Sequence, residues 1–108
     1  MSMGAQDLLF RALSDPTRRA LFESLCQAGE QTVGALTVQA GVSQPAASKH
    51  LGLLKQAGLV SDRQEGRQNH YRAEVRALAP LVEWTGRMTA FWEGRFDNLE
   101  DLLKRMDQ

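Results

Sequence analysis

The sequence predicts a mainly α-helical fold with one small β-hairpin in the second half of the chain. Five segments carry apolar residues at intervals of three and four, which is the pattern of helices that bury one face. Glycine or proline stands at most of the junctions between these segments. Two short stretches on either side of Glu65-Gly66 predict the hairpin. Because 108 residues is a usual size for one domain, we expect residues 1–108 to form a single domain.

The first two helices are separated by a short polar segment that contains a proline. The first helix is predicted over about 5–13. Asp15 is a favoured N-cap residue and Pro16 suits the first helical position, where no backbone N–H is needed, so the second helix should begin there. It should continue to about Ala28 and end at Gly29, which tolerates a positive φ.

The middle of the chain predicts a helix-turn-helix followed by a hairpin. A short helix begins after Thr32, a longer helix begins after Ser43, and a turn at Gly41 joins them. This segment, about 32–57, has the helix, glycine turn and helix of a DNA-binding motif. The hairpin over about 59–73 follows directly and is called the wing below. Their order therefore predicts a winged helix-turn-helix.

The last helix is predicted over about 80–106 and is amphipathic along its length. At 1.5 Å per residue it would be about 40 Å long, which exceeds what a domain of this size covers with its own core. Its aromatic stripe therefore indicates a partner surface, for which a second copy of the chain is favoured over packing across its own domain. The predicted dimerisation residues are Leu8 and Leu9 from the first helix and Trp84, Met88, Phe91, Trp92 and Leu99 from the last.

The second helix of the motif presents polar side chains suited to DNA. Glutamine bonds adenine in bidentate geometry and serine acts as donor or acceptor, so Gln44 and Ser48 suit base edges in the major groove. Lysines on this helix and arginines beside the hairpin turn suit phosphates or a narrow minor groove. A solvated helix face and a charged hairpin tip are the alternative. The predicted DNA-binding residues are Ser43, Gln44, Ser48, Lys49, His50, Lys55, Arg63 and Arg67.

Charge is unevenly distributed along a chain whose formal net charge is zero. Residues 43–72 hold five basic and two acidic side chains, whereas residues 93–108 hold five acidic and three basic ones. A basic centre can place positive charge on one face, as nucleic-acid binding requires, and ordinary surface variation is the alternative.

Three motifs stand in order along the chain. They are Phe10-x-Ala12-Leu13-Ser14-Asp15-Pro16-Thr17-Arg18-Arg19, Ser43-Gln44-Pro45-Ala46-Ala47-Ser48-Lys49-His50-Leu51-x-x-Leu54 and Arg63-x-x-Gly66-Arg67-x-x-x-Tyr71. Together they resemble the ArsR/SmtB family, and the resemblance covers about residues 8–103. It implies a homodimer that uses its first and last helices for dimerisation and represses transcription. The closing segment from Phe91 to Leu99 resembles a subgroup without a metal site.

The resemblance also assigns individual residues. The DNA-facing positions of the family match Ser43, Gln44, Ser48 and His50, and Arg67 matches its wing arginine. For His50 two interpretations remain open, a bond to DNA or a bond that fixes the helix to the core. Thr37 departs from the pattern, since a small apolar residue is usual there, and we expect slightly looser helix packing.

No metal or cofactor is predicted, and the existence of an inducer is left open. Relatives in this family that sense metals use paired cysteines before the turn, but residues 32–38 contain no cysteine, and the last helix contains no histidine. Zinc needs about four ligands, which the two histidines, His50 and His70, do not readily supply. Cys26 cannot form a disulfide within the chain, and either a redox role or a simple apolar role remains open for it.

Two rival functions are weighed against DNA binding. No nucleophile with a positioned base and no glycine-rich phosphate loop is found, so we do not expect an enzyme. A protein-binding winged helix is the stronger rival, but the basic residues on the motif and wing favour DNA.

No apolar run approaches the roughly 20 residues of a membrane span and no secretion signal is seen, so we expect a cytoplasmic protein. The sequence thus predicts a homodimeric, sequence-specific repressor of double-stranded DNA with a palindromic operator.

Overall fold

The fold is mainly helical, with a small antiparallel sheet inserted before the last helix. The computed structural model describes residues 4–107, except for the side chains of residues 93–99. The elements are α1 (Ala5–Leu13), α2 (Pro16–Ala28), β1 (Gln31–Thr32), α3 (Val33–Ala40), α4 (Gln44–Gln56), β2 (Val60–Glu65), β3 (Gln68–Ala73), a short 3-10 turn (Val75–Leu78) and α5 (Ala79–Met106).

Helices α2, α3 and α4 begin where the sequence predicts, because a local side chain accepts a hydrogen bond from one of their first backbone N–H groups. Each cap of this kind stabilises a helix by about 1 kcal/mol. Between α3 and α4, Gly41 adopts a left-handed conformation with φ of 66°, which other residues adopt only at a cost. The capping bonds run from the N–H of Arg18 to Asp15 at 2.8 Å, of Ala35 to Thr32 at 3.1 Å and of Ala46 to Ser43 at 3.2 Å.

The predicted hairpin is present, with its turn one residue further along the chain. Strands β2 and β3 pair from Val60 opposite Ala73 to Glu65 opposite Gln68, so the turn is Gly66-Arg67 and not Glu65-Gly66. Gly66 has φ of 62°, which a two-residue hairpin turn demands of its first central residue. This turn places Arg67 at the tip of the wing.

A third strand, β1, was not predicted. Its two residues pair with β3, Gln31 opposite Tyr71 and Thr32 opposite His70, and give the sheet the order β1-β3-β2. A strand of two residues shows no alternation that a sequence pattern can reveal. It ties the wing to the segment that enters α3, so the wing is anchored to the helix-turn-helix at its base.

Leucines form most of the core, where α1, α2, α3 and α4 meet the sheet. Leu36, Leu51, Leu54 and Leu59 have no exposed surface. Burying a side chain of this size contributes roughly 1.5–3 kcal/mol. Leu9 is only 2% exposed and belongs to the same cluster, so its predicted place on the dimer surface is wrong.

Helix α5 extends well beyond this core. The chain measures 66 × 35 × 21 Å and has a radius of gyration of 18.8 Å, against about 13 Å for a compact domain of 100 residues. Near its start α5 packs on α1, where the rings of Phe10 and Trp84 meet edge to face with centroids 5.2 Å apart. Beyond that contact the helix lies largely outside the core of its own chain.

Candidate nucleic-acid interface

Helix α4 is fixed to the core along one side and open along the other. Ala47, Leu51 and Leu54 are completely buried and recur at intervals of four and three residues. The side chains of Gln44, Ser48 and Lys49, close to the N-terminus of α4, are exposed. The N-terminal part of a helix held in this way is the part that enters a major groove.

Two of these exposed side chains line a cleft together with the wing. Gln44 and Ser48 face it from α4, and Arg67 faces it from the tip of the hairpin. The cleft has a volume of about 340 Å³ and polar walls. The structure therefore brings together three of the predicted DNA-binding residues. The other residues that line the cleft are Thr32, Val33, Gly34, Gln64, Gln68 and Asn69.

Ser43 has a structural role besides any contact with DNA. Its Oγ accepts the hydrogen bond from the N–H of Ala46 that caps α4. The serine hydroxyl is exposed and retains its own O–H as a donor, so the cap and a bond to an acceptor are compatible.

Lys55 forms an ion pair with the wing, and its predicted role as a phosphate ligand stays a prediction. Its Nζ lies 2.8 Å from Oδ1 of Asp62 on β2, and Oδ2 of Asp62 accepts a hydrogen bond of 3.0 Å from Asn69 on β3. The hydrogen bonds from Lys55 and Asn69 hold the pKa of the Asp62 carboxyl below its ordinary value. This bridge, which we call the α4–wing latch, joins the recognition helix to both strands of the hairpin.

Arg63 is also committed within the chain. Its guanidinium donates to both carboxylate oxygens of Glu30 at 3.0 Å and to Glu65 at 2.7 Å. These two carboxylates raise the pKa of Arg63, and Arg63 in turn lowers the pKa of Glu30 and of Glu65. Arg63 therefore joins β2 of the wing to the segment before β1, and its predicted contact with DNA stays a prediction.

His50 turns towards the core, which favours the second of its two interpretations. Its Nδ1 lies 3.3 Å from Nη1 of Arg18 and 4.0 Å from Oδ2 of Asp15, and the side chain is 21% exposed. Arg18 also donates to the carbonyls of Ala12 at 2.7 Å and Arg11 at 3.2 Å. His50 thus joins α4 to the α1–α2 junction.

Lys49 and Arg67 differ from these paired cations. In the part of the chain that the structure describes, neither lies within 4.0 Å of a carboxylate oxygen, and both side chains are exposed. They stand on α4 and at the tip of the wing respectively. These two side chains are therefore available to phosphates without breaking an ion pair within the protein.

The predicted dimerisation residues other than Leu9 and Leu99 are partly or fully exposed on α1 and α5. Leu8 and Trp84 are half-buried, whereas Met88, Phe91 and Trp92 are 38%, 66% and 41% exposed. The side chain of Leu99 lies outside the described residues. Phe10, which the predicted set omits, forms the ring contact with Trp84 and is 43% exposed.

The remaining predictions concern chemistry and the membrane. Among the described residues no three His, Cys, Asp or Glu side chains form a metal-binding group, and no helix there is both long and apolar enough to span a bilayer.

Cys26 is exposed as a residue. Partial desolvation of its thiol, together with the negative charge of Glu23, raises the pKa of that thiol. A raised pKa disfavours the reactive thiolate. Thr37 satisfies its hydroxyl by donating to the carbonyl of Val33 at 2.7 Å.

Comparisons with known proteins agree with this geometry. A family model described as a helix-turn-helix domain matches residues 13–63. The chain is 36% identical over 76 residues to the transcriptional repressor SdpR of Bacillus subtilis, and the match covers 70% of this chain and 83% of that protein.

Two solved structures extend the likeness to the whole fold. An ArsR-like transcriptional regulator from Rhodococcus sp. RHA1 has a TM-score of 0.72 and 31% identity, and the match covers 91% of this chain and 92% of that chain. The homodimeric winged helix-turn-helix DNA-binding domain Mb0332 of Mycobacterium bovis, a possible ArsR-family regulator, has a TM-score of 0.61 and 30% identity. That match covers 77% of this chain and 76% of the other.

A helix-turn-helix anchored to a sheet that carries a hairpin defines a winged helix-turn-helix. This chain belongs to the ArsR family of transcriptional regulators. The resemblance found in the sequence is thereby confirmed, and so is the mainly helical fold with a β wing.

Proposed function

We propose that this protein is a homodimeric, sequence-specific repressor that inserts α4 into the major groove of a palindromic operator. The observation that carries the proposal is the shared cleft in which Gln44 and Ser48 of α4 face Arg67 of the wing. Gln44 and Ser48 offer the donors and acceptors that distinguish base pairs. Arg67 and Lys49 supply positive charge for the backbone or a narrow minor groove.

The homodimer is supported by the exposed apolar side of α5. Met88, Phe91 and Trp92 on this helix expose more than a third of their surface, and Leu103 and Met106 near its end are also exposed. Several large apolar side chains exposed on one helix indicate a protein interface. A second copy is the occupant because the related Mb0332 domain is described as homodimeric.

A palindromic operator follows from the two-fold symmetry of such a dimer. Two recognition helices related by a two-fold axis meet two half-sites with centres about 34–36 Å apart, or one helical turn of DNA. The protein would act in the cytoplasm by occupying DNA and without catalysing a reaction. No inducer is assigned, because no described group of side chains identifies one.

Fluorescence anisotropy across a salt series tests the proposal. The probes are a labelled duplex from the region upstream of the protein's own gene and a scrambled duplex of equal length. We expect tighter binding to the native duplex, and a slope of log affinity against log salt near −5 if the dimer makes about six phosphate contacts. Equal affinity for the two duplexes would contradict sequence-specific recognition. No binding by a folded dimer at low salt would favour a protein-binding winged helix.

A further inference from the structure

The side of α4 opposite the wing opens onto a second cleft, between the C-terminal half of α1 and the start of α2. Arg11 of α1 and Lys49 of α4 face this cleft, which has a volume of about 500 Å³ and no carboxylate among the residues that line it. The other lining residues are Arg18, Ala46, His50 and Leu53.

Two cations in this cleft have no opposite charge. In the described residues, neither Arg11 nor Lys49 lies within 4.0 Å of a carboxylate oxygen. The nearest acid to His50 is Asp15, whose carboxylate already accepts the N–H of Arg18 at 2.8 Å and therefore caps α2. A chain of zero net charge thus keeps two unpaired cations, from different helices, on one side of its recognition helix.

The carbonyl end of α1, which would repel an anion, is covered. Arg18 donates from Nε to the carbonyl of Ala12 at 2.7 Å, and Arg19 donates from Nη1 to the carbonyl of Leu13 at 2.7 Å. These two guanidinium groups offset the negative end of the helix dipole. The free carbonyls of α1 therefore do not counteract the positive side chains that line the cleft.

A helix in the major groove lies between two sugar–phosphate backbones, one on each side. The cleft with Arg67 meets the backbone on the wing side. We propose that Arg11 and Lys49 form a second phosphate-binding site, which holds the DNA backbone on the α1 side of the recognition helix. The planar guanidinium of Arg11 matches the geometry of a phosphodiester, and the ammonium of Lys49 adds a point charge. Arg18 fixes the end of α1 beside the cleft through its hydrogen bond to the carbonyl of Ala12. This inference rests on the proposed DNA-binding function.

Arg11→Gln tests the site, with Lys104→Gln as the matched control. Both variants remove one positive charge per chain. Lys104 is an exposed residue in the last turn of α5, at the opposite end of that helix from its contact with α1. No hydrogen bond or ion pair of the Arg11 side chain is lost within the described residues. Anisotropy is measured for each variant with the native and the scrambled duplex over the same salt series.

We expect Arg11→Gln to weaken binding of both duplexes by a similar factor, roughly tenfold, and to reduce the salt slope by about 1.8 per dimer. Arg11→Lys, which keeps the charge, should retain most of the slope. Lys104→Gln should match the wild type.

Two results would overturn the site. If the wild type prefers the native duplex while Arg11→Gln and Lys104→Gln have the same slope, the proposed function stands and the second phosphate site is wrong. If the wild type binds no DNA at all, both proposals fail together. Thermal unfolding of Arg11→Gln, expected at the wild-type midpoint, confirms that a lost slope does not arise from a lost fold.

Discussion

At the scale of single residues, the structure separates cations that hold the fold together from cations that remain open to DNA. Among the residues that the structure describes, Lys55 and Arg63 are paired with carboxylates, whereas Lys49 and Arg67 are not. The sequence predicts DNA binding for all four, because it does not show which carboxylate a basic side chain will contact. Glu30 is 33 residues before Arg63, and only the pairing of β1 with β3 brings it close.

Gln44 is the residue to which we assign base reading. Gln44→Ala should weaken binding to the native duplex by about 1–3 kcal/mol per half-site, because a bidentate bond to adenine would be lost. Binding to scrambled DNA should change little, since no phosphate contact is removed. Anisotropy with both duplexes measures the two effects.

Lys49→Ala is the companion variant for that experiment. It should weaken binding to both duplexes similarly, because a contact to phosphate carries no sequence information. Should Gln44→Ala reduce native and scrambled binding by equal factors, the assignment of base reading to Gln44 would be wrong.

At the scale of elements, local signals account for what the sequence predicts well. Asp15, Thr32, Ser43 and Gly41 act within three or four residues of their own position, so their effect can be read from the chain alone. Strand β1 cannot be read in this way, because its two residues become a strand only by pairing with β3.

Burial on α1 shows the same limit of prediction. Leu8 and Leu9 are adjacent and equally apolar, yet Leu9 points into the core and Leu8 is half-buried. Which of the two faces a partner depends on the angle at which α1 crosses α2 and α4. The helical repeat places both residues near one stripe and does not give that angle.

The α4–wing latch leads to a prediction about elements. Asp62→Asn removes a negative charge near the DNA, so electrostatics alone would tighten binding to any duplex. If the latch holds the wing in position for recognition, the variant should lower the ratio of native to scrambled affinity by about two- to fivefold, the range of an exposed ion pair. Anisotropy at one salt concentration with both duplexes measures the ratio.

Glu23→Gln is the control for the latch, because it removes the same charge from an exposed position on α2. It should leave the ratio unchanged. An unchanged ratio in Asp62→Asn, with tighter binding to both duplexes, would show that the wing does not need the latch. Because the pKa of Asp62 is lowered, the latch should be intact at neutral pH and be lost only as the pH falls through that lowered value.

At the scale of the whole molecule, α5 explains why the chain is elongated. A helix of 28 residues is about 42 Å long by its rise per residue, and none of its described side chains is fully buried. Two copies joined along α1 and α5 would bury the exposed aromatic residues and fix the distance between the two recognition helices. Such a dimer would present two recognition helices to paired half-sites of DNA.

The most direct test of this account is the mass of the protein alone and on DNA, measured by sedimentation equilibrium. The chain has a mass of 12.0 kDa. We expect the free protein to sediment as two chains, and one duplex with a native palindrome to bind two chains, with no stable complex of one chain. A free monomer at micromolar concentration that binds the duplex one chain at a time would contradict the account.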